Sequence, residues 1–236
     1  MSQRAKFWLI SITTLFGVVL TLSLGSWQLS RASQKEALQA AIQAQGQIVP
    51  LENEAFATLH ELTAAMHRVA RLRGKWVEER TVFLDNRQMN ARPGFYVVTP
   101  FVLENSRQTV LVQRGWVARN FTDRTSVPAI PRTSAVVEIE GRIAPPPSKL
   151  YEMGAPETGL IRQNLDLAEF RVETGLALLP VSIVQTSAAS DGLRREWPVA
   201  ASSASKNYGY AFQWFGLSLL ITLIYVWFQI VKQFFF

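Results

Sequence analysis

Two short stretches carry the residues best suited to holding a ligand. Trp27, Arg31 and Lys35 follow one another at intervals of four, and Gln28 stands three before Arg31. On a helix this spacing brings them to one face. Near the other end of the chain Tyr210 and Trp214 repeat the interval of four, with Gln213 beside them. If two such helices pack together, rings and amides meet with cations at their edge. An apolar aromatic slot with a cationic rim suits a porphyrin and its propionates. The same residues also suit a plainer role, in which Trp27, Tyr210 and Trp214 anchor helices at a membrane–water interface and Arg31 and Lys35 touch lipid phosphates.

A third group, Arg114-Gly115-Trp116, lies in a run of strand-forming residues. Its structural reading is an inward tryptophan, a glycine where neighbouring elements pack closely, and an arginine paired with an acid such as Asp85. Docking onto a partner is the other reading. The two histidines, His60 and His67, are seven apart. Because Val69 to Trp76 reads as a strand, they are expected at the surface rather than as metal ligands. No Ser-His-Asp set, glycine-rich phosphate loop or carboxylate pair in a recognisable context is present, so no catalytic residue and no metal site are assigned. Cysteine is absent, which excludes disulfides, thiolate metal sites and thioether-linked haem.

The elements that must position these residues follow from where charge is missing. Residues 7–30 and 207–231 are read as membrane-crossing helices, since Phe7 to Ser30 and Tyr208 to Val231 carry no charged side chain. Each exceeds the ~20 residues that cross a ~30 Å hydrocarbon core. The first is read as an uncleaved anchor, because its apolar run is longer than that of a signal peptide. Trp8 and Trp227, with Phe234, Phe235 and Phe236, mark one interface, and Trp27, Tyr208, Tyr210 and Trp214 the other. Arg4, Lys6 and Lys232 favour cytoplasmic tails at residues 1–6 and 232–236, although Arg31, Lys35 and Lys206 nearly balance the count.

Residues 31–206 are the size of one domain. Ala32 to Gln47 is rich in helix formers, so the first helix is expected to project past the membrane and break at Gly46 and Pro50. Glu52 to Ala65 reads as a further short helix. Val69, Leu72, Val82 to Leu84, Phe95 to Val102, Val110 to Val117, Val136 to Ile143 and Val181 to Val184 are strand-like runs punctuated by Gly, Pro, Asn and Asp. They predict a small, mainly antiparallel β-barrel-like domain with one inserted helix, Asp166 to Thr174, capped by Asn164 and ended by Gly175. The class is thus a membrane protein of α+β type. The formal charge of +6 is spread among acids and marks no nucleic-acid groove.

In order along the chain, Gly25-Ser26-Trp27-Gln28-Leu29-Ser30-Arg31 with Lys35, Asn86-Arg87 leading to Pro93-Gly94-Phe95 and Thr99-Pro100-Phe101, Val110 to Val117 with Arg114-Gly115-Trp116, Glu138 to Arg142, and Tyr210-Ala211-Phe212-Gln213-Trp214-Phe215 resemble the SURF1 family. The resemblance covers nearly the whole chain, both helices and their spacing included. It implies a non-enzymatic assembly factor for haem-copper cytochrome c oxidase that helps haem a reach the catalytic subunit. The implied partners are that subunit, haem A synthase and other oxidase assembly factors, and the lipid bilayer. The implied location is the plasma (inner) membrane, with residues 31–206 in the periplasm. The alternative is a scaffold or accessory subunit that steadies the oxidase without touching haem. The family's last phrase carries a histidine three residues before its tyrosine, regarded as a haem ligand. Here that position is Asn207, and an amide oxygen is a poor iron ligand beside imidazole.

Overall fold

The computed structural model describes residues 2–58, 61–120, 122–123, 126–151, 158–189, 191–199 and 203–232. His60 and Phe234, Phe235 and Phe236 lie outside that set. The chain forms two compact units, Met1–Ala40 with Val199–Phe236, and Ala41–Pro198.

The first unit is a helix pair. Helix α1 spans Gln3–Gly46, 44 residues, or about 66 Å at ~1.5 Å per residue, and it ends at the glycine where its run of Ala, Gln and Lys stops. Helix α4, Ala204–Tyr225, continues as a π-helical stretch over Val226–Val231. Both helices are long and apolar enough to cross a membrane, and only 6% of the most apolar window of each is buried. A core helix of a water-soluble protein would be mostly covered.

Each helix carries a set of covered residues that repeats at alternating steps of three and four. On α1 they are Thr14, Val18, Thr21, Gly25, Gln28, Ala32 and Lys35, and on α4 Ala204, Asn207, Ala211, Trp214, Ser218, Ile221 and Tyr225. This is the seam of a left-handed helix pair. Its buried positions, Thr21, Gly25, Ala32, Ala204, Ala211 and Ser218, all carry small side chains, as close backbone approach in lipid requires. Contacts run from Ser11 Oγ and Tyr225 Oη, 2.7 Å apart, to Lys35 and Asn207 at the opposite end, so the helices are antiparallel.

The second unit is built on one eight-stranded sheet, ordered β1-β2-β6-β8-β5-β4-β3-β7. Strands β2 (Val69–Trp76), β4 (Arg92–Leu103), β5 (Thr109–Ala118), β6 (Val137–Ala144) and β8 (Leu178–Gln185) close into a five-stranded barrel through the β2–β4 pairing. At the closure a Cβ on Gly74 would lie 2.1 Å from the Val102 carbonyl oxygen, so the strands meet only because that position has no side chain. Strand β2 alternates buried and exposed residues and turns Ala70 and Leu72 into a core with Phe101, Val112, Ile139 and Ile183. Strand β5 is buried from Thr109 to Trp116 because both its faces are covered, so that even Gln113 and Arg114 are enclosed.

The remaining strands, β1 (Leu51–Glu52), β3 (Val82–Met89) and β7 (Ile161–Arg162), lie at the sheet's ends. The sheet is mainly antiparallel, with parallel pairs at β1–β2, β3–β7 and β5–β8.

Two sequence expectations need correction here. Among the described residues the domain holds α3, Leu167–Thr174, and α2, which covers only Asn53–Thr58 of the run expected from Glu52 to Ala65. Residues Leu62 to His67 are turns, and Phe56, fully buried, holds α2 on the barrel core. The cap of α3 is Asp166, whose carboxylate accepts the N–H groups of Ala168 and Glu169. Asn164 is occupied instead, accepting the Leu150 N–H at 2.6 Å and donating to the Leu150 carbonyl at 2.9 Å. Gly175, at φ 68°, ends the helix as expected.

Candidate functional site

Among the residues proposed for a ligand slot on the helix pair, the structure joins three. The Asn207 side chain donates from Nδ2 to Gln28 Oε1 at 2.6 Å and accepts from Lys35 Nζ at Oδ1, also at 2.6 Å. Both ends of the amide are therefore engaged. From the next residue of each helix, Tyr208 Oη donates to Glu36 Oε2 at 2.9 Å, a second polar link between the same helices. Trp214 lies half-buried in the seam, and the ring of Phe215 fills the notch at Gly25, where a Cβ would come within 2.7 Å.

The other candidates stand outside the seam. Trp27 is 55% exposed and Tyr210 53%, and Arg31 and Gln213 are exposed as well. Arg31 is turned along its own helix to Gln34 Oε1 at 3.1 Å. No aromatic pair joins the two helices among the described residues. The end of the helix pair is thus a half-buried amide–ammonium bridge flanked by outward rings.

For haem a as cargo, this bridge offers no imidazole, thiolate or thioether. Residues 7–30 and 207–231 contain no His, Cys or Met, and the Asn207 oxygen is already the acceptor for Lys35. An amide oxygen so placed is a poor ligand for iron. His67 lies in the other unit, at φ 73°, with its Nδ1 3.0 Å from Arg142 Nη1. Burial, and secondarily Arg142, hold its pKa below the ordinary 6.5.

The barrel domain gathers the remaining candidate residues around strands β3 to β5. A bulge between Leu84 and Arg87, with Asn86 at φ 57°, re-aims Arg87 inward. Arg87 donates to the Gln163 carbonyl at 3.0 Å and lies over the Tyr96 ring, and burial holds its pKa below the usual arginine value. Pro93 pairs with Gln88 in the β3–β4 ladder. Trp116 is 1% exposed and donates its indole N–H to the Arg87 carbonyl at 2.8 Å. Gly94 accommodates that indole, since a Cβ there would lie 2.5 Å from Trp116 Cε2. Gly115 does the same for the chain at Leu193, 2.7 Å from the corresponding Cβ position. Arg87, Gly94 and Trp116 thus form one packed unit.

Arg114 corrects that reading in one respect. Asp85 pairs with Arg119 at 3.1 Å, whereas Arg114 reaches Asp191 at 3.4 Å. Arg195, at 2.7 Å, binds the same Asp191 oxygen. The Arg114 guanidinium lies over the Trp76 ring, 4.4 Å from its centroid. Burial lowers its pKa, and Asp191 and Glu78 pull it back up. Asp191 and Arg195 were not legible as partners, being 77 and 81 residues from Arg114.

The chain matches the SURF1 family over residues 15–219, which takes in most of both terminal helices and the whole barrel domain. It belongs to the SURF1 family. A SURF1-like protein of Rickettsia felis is 26% identical over 227 residues, covering 92% of this chain and 95% of its own. A SURF1-like protein of Rickettsia prowazekii is 28% identical over 232 residues, with 92% and 88% covered. The cytochrome oxidase assembly protein SHY1 of Saccharomyces cerevisiae is 26% identical over 100 residues, 42% of this chain and 26% of that one. The SURF1 match includes the Gly25 to Lys35 and Asn207 to Phe215 stretches, and hence the amide bridge.

Proposed function

We propose that this protein is a membrane-anchored, non-enzymatic assembly factor for haem-copper cytochrome c oxidase. It acts on the catalytic subunit at the stage when haem a is inserted. The supporting observation is the family match from residue 15 to 219, together with the similarity to a protein named for cytochrome oxidase assembly. In this reading both termini are cytoplasmic and the barrel domain is periplasmic. The exposed rings of Trp27 and Tyr210 face the catalytic subunit beside the amide bridge, and haem A synthase and other assembly factors are further partners.

A second reading is favoured by one observation. Asn207 stands where the family carries a haem-ligating histidine, and both of its polar atoms are committed to Gln28 and Lys35. The protein then steadies the nascent catalytic subunit as a scaffold, without holding haem by an axial bond. The two readings separate in a deletion strain. Loss of haem a per catalytic subunit, with subunit abundance kept, supports assistance to haem insertion. Loss of the subunit with normal haem occupancy of what remains supports the scaffold. A purified oxidase unchanged in both would overturn the assembly role itself. Absorption spectra of Asn207→His, expressed with haem A synthesis, give an independent check. A Soret band present in the variant and absent from the wild type supports a scaffold that has lost the ligand.

A further inference from the structure

We propose that the cleft beside Arg114 in the barrel domain binds a carboxylate carried on an apolar body. The cleft has a volume of about 240 Å³. Its apolar wall is made by Phe83, Leu160 and the proline-rich strap at Pro128, Ile130 and Pro131, and its polar residues include Arg114, Glu78 and Arg132.

The case rests on unequal satisfaction of two arginines. Arg195 is saturated: Nη2 donates to Asp191, Nη1 to the Ser187 and Ala188 carbonyls, and Nε to the Arg114 carbonyl, all within 2.9 Å. Among the described residues, Arg114 has only a long contact, 3.4 Å, to the Asp191 oxygen that Arg195 already binds, and its buried Nε has no acceptor. Yet its side chain is only 5% exposed. Two buried guanidinium groups share one carboxylate oxygen and Glu78 acts on Arg114 only through space, so Arg114 lacks a full hydrogen-bonded partner among the described residues. Burying an incompletely paired charge is unfavourable, and a second planar carboxylate is the group that matches an arginine fork. Trp76 covers the flat face of the guanidinium and directs an incoming anion to its edge.

Glu78 does not fill this role. Its Oε1 accepts the Thr133 N–H at 2.8 Å, and its Oε2 lies 4.0 Å from Arg132. Its charge also opposes a phosphate dianion, while a monoanion with an apolar tail satisfies both the arginine and the wall. Two sources supply that chemistry: a small organic acid, or the end or acidic side chain of a polypeptide.

The test uses full-length protein in detergent, labelled with ¹⁵N-tryptophan. The probes are 3-phenylpropionate and its carboxamide, and the peptide acetyl-Leu-Pro-Phe with a free or an amidated end. Both carboxylates should shift the Trp76 indole signal saturably, with each amide about tenfold weaker. Leu160→Asp, at a half-exposed position on the wall, should weaken the carboxylates by about tenfold. Unmoved Trp116 and Trp197 signals in that variant establish that the barrel is intact. Tighter binding of the peptide assigns a polypeptide occupant, and tighter binding of the free acid assigns a small one. Equal shifts from acid and amide, no shift from either, or full binding by Leu160→Asp would overturn the proposal.

Discussion

Cutting the Asn207 bridge should loosen the helix pair at one end, by an amount that can be worked from its two bonds. Asn207→Ala leaves Gln28 Oε1 and Lys35 Nζ without the partner that each now holds at 2.6 Å. In water a neutral hydrogen bond contributes about 0.5–1.5 kcal/mol net, and one to a charged group about 1.5–3. Measured links between membrane helices are weaker, averaging ~0.6 and reaching ~1.7 kcal/mol, because separated helices find other partners. Lys35 is only half-buried and can turn to water, so the lower scale applies. The expected loss is about 1–2 kcal/mol, a five- to thirtyfold rise in the separated population.

Absence of cysteine makes the assay direct. Spin labels at Ser26→Cys and Phe212→Cys, both exposed positions on facing helices, report separation during titration with SDS. Double-mutant cycles of Asn207→Ala with Gln28→Ala and with Lys35→Met should each show coupling of about 0.6 kcal/mol or more. The cycle with Arg31→Met should show none, since Arg31 bonds Gln34 on its own helix. Coupling within ~0.3 kcal/mol of zero for both Gln28 and Lys35 would refute the bridge.

Three further outcomes are expected. Gly25→Leu drives a side chain into the Phe215 ring, which already lies 2.7–2.9 Å from the Cβ position. The helices should move apart in the same spin-label measurement, and Phe215→Ala should restore their spacing. Gly94→Ala places a methyl 2.3 Å from the Val117 carbonyl oxygen, a backbone atom held in the β4–β5 ladder. Stability of the barrel domain should fall by about 1–3 kcal/mol, read as a lower midpoint in near-ultraviolet circular dichroism. For His67, burial and then Arg142 keep the folded-state pKa below 6.5, so the native state prefers the neutral ring. Its contribution is complete above the unfolded value of about 6.5 and is lost as pH falls through the folded value. His67→Asn, which tolerates the φ of 73°, should flatten that part of the stability–pH curve. An unchanged slope between wild type and variant would show that another group is responsible.

Much of the architecture was legible as one-dimensional pattern. A run without charge long enough to cross a bilayer is visible residue by residue, and so are the β-branched runs that became β2 to β6 and β8. Gly175 after Thr174 marked the end of α3 because a left-handed residue there is a local requirement. The start of α3 was less clear, since Asn164 and Asp166 are equally able caps. Only the pairing of Asn164 with Leu150 removed one of them.

What the sequence by itself determined is therefore local: two apolar helices, a strand-rich middle, and a Trp-Gln-Arg-Lys stretch and a Tyr-Gln-Trp stretch, one near the outer end of each helix. Tertiary structure decided which of those residues meet. The antiparallel seam selects Gln28, Lys35 and Asn207 and leaves Trp27 and Arg31 outside it, because a helix pair buries one narrow stripe while the i,i+4 rule describes every face equally. The chain leaving β8 likewise returns along β5, bridging Arg194 to Trp116, and so brings Asp191 and Arg195 to Arg114 across 77 and 81 residues. No spacing rule reaches that far, since such partners are chosen by strand register and the return path of the chain.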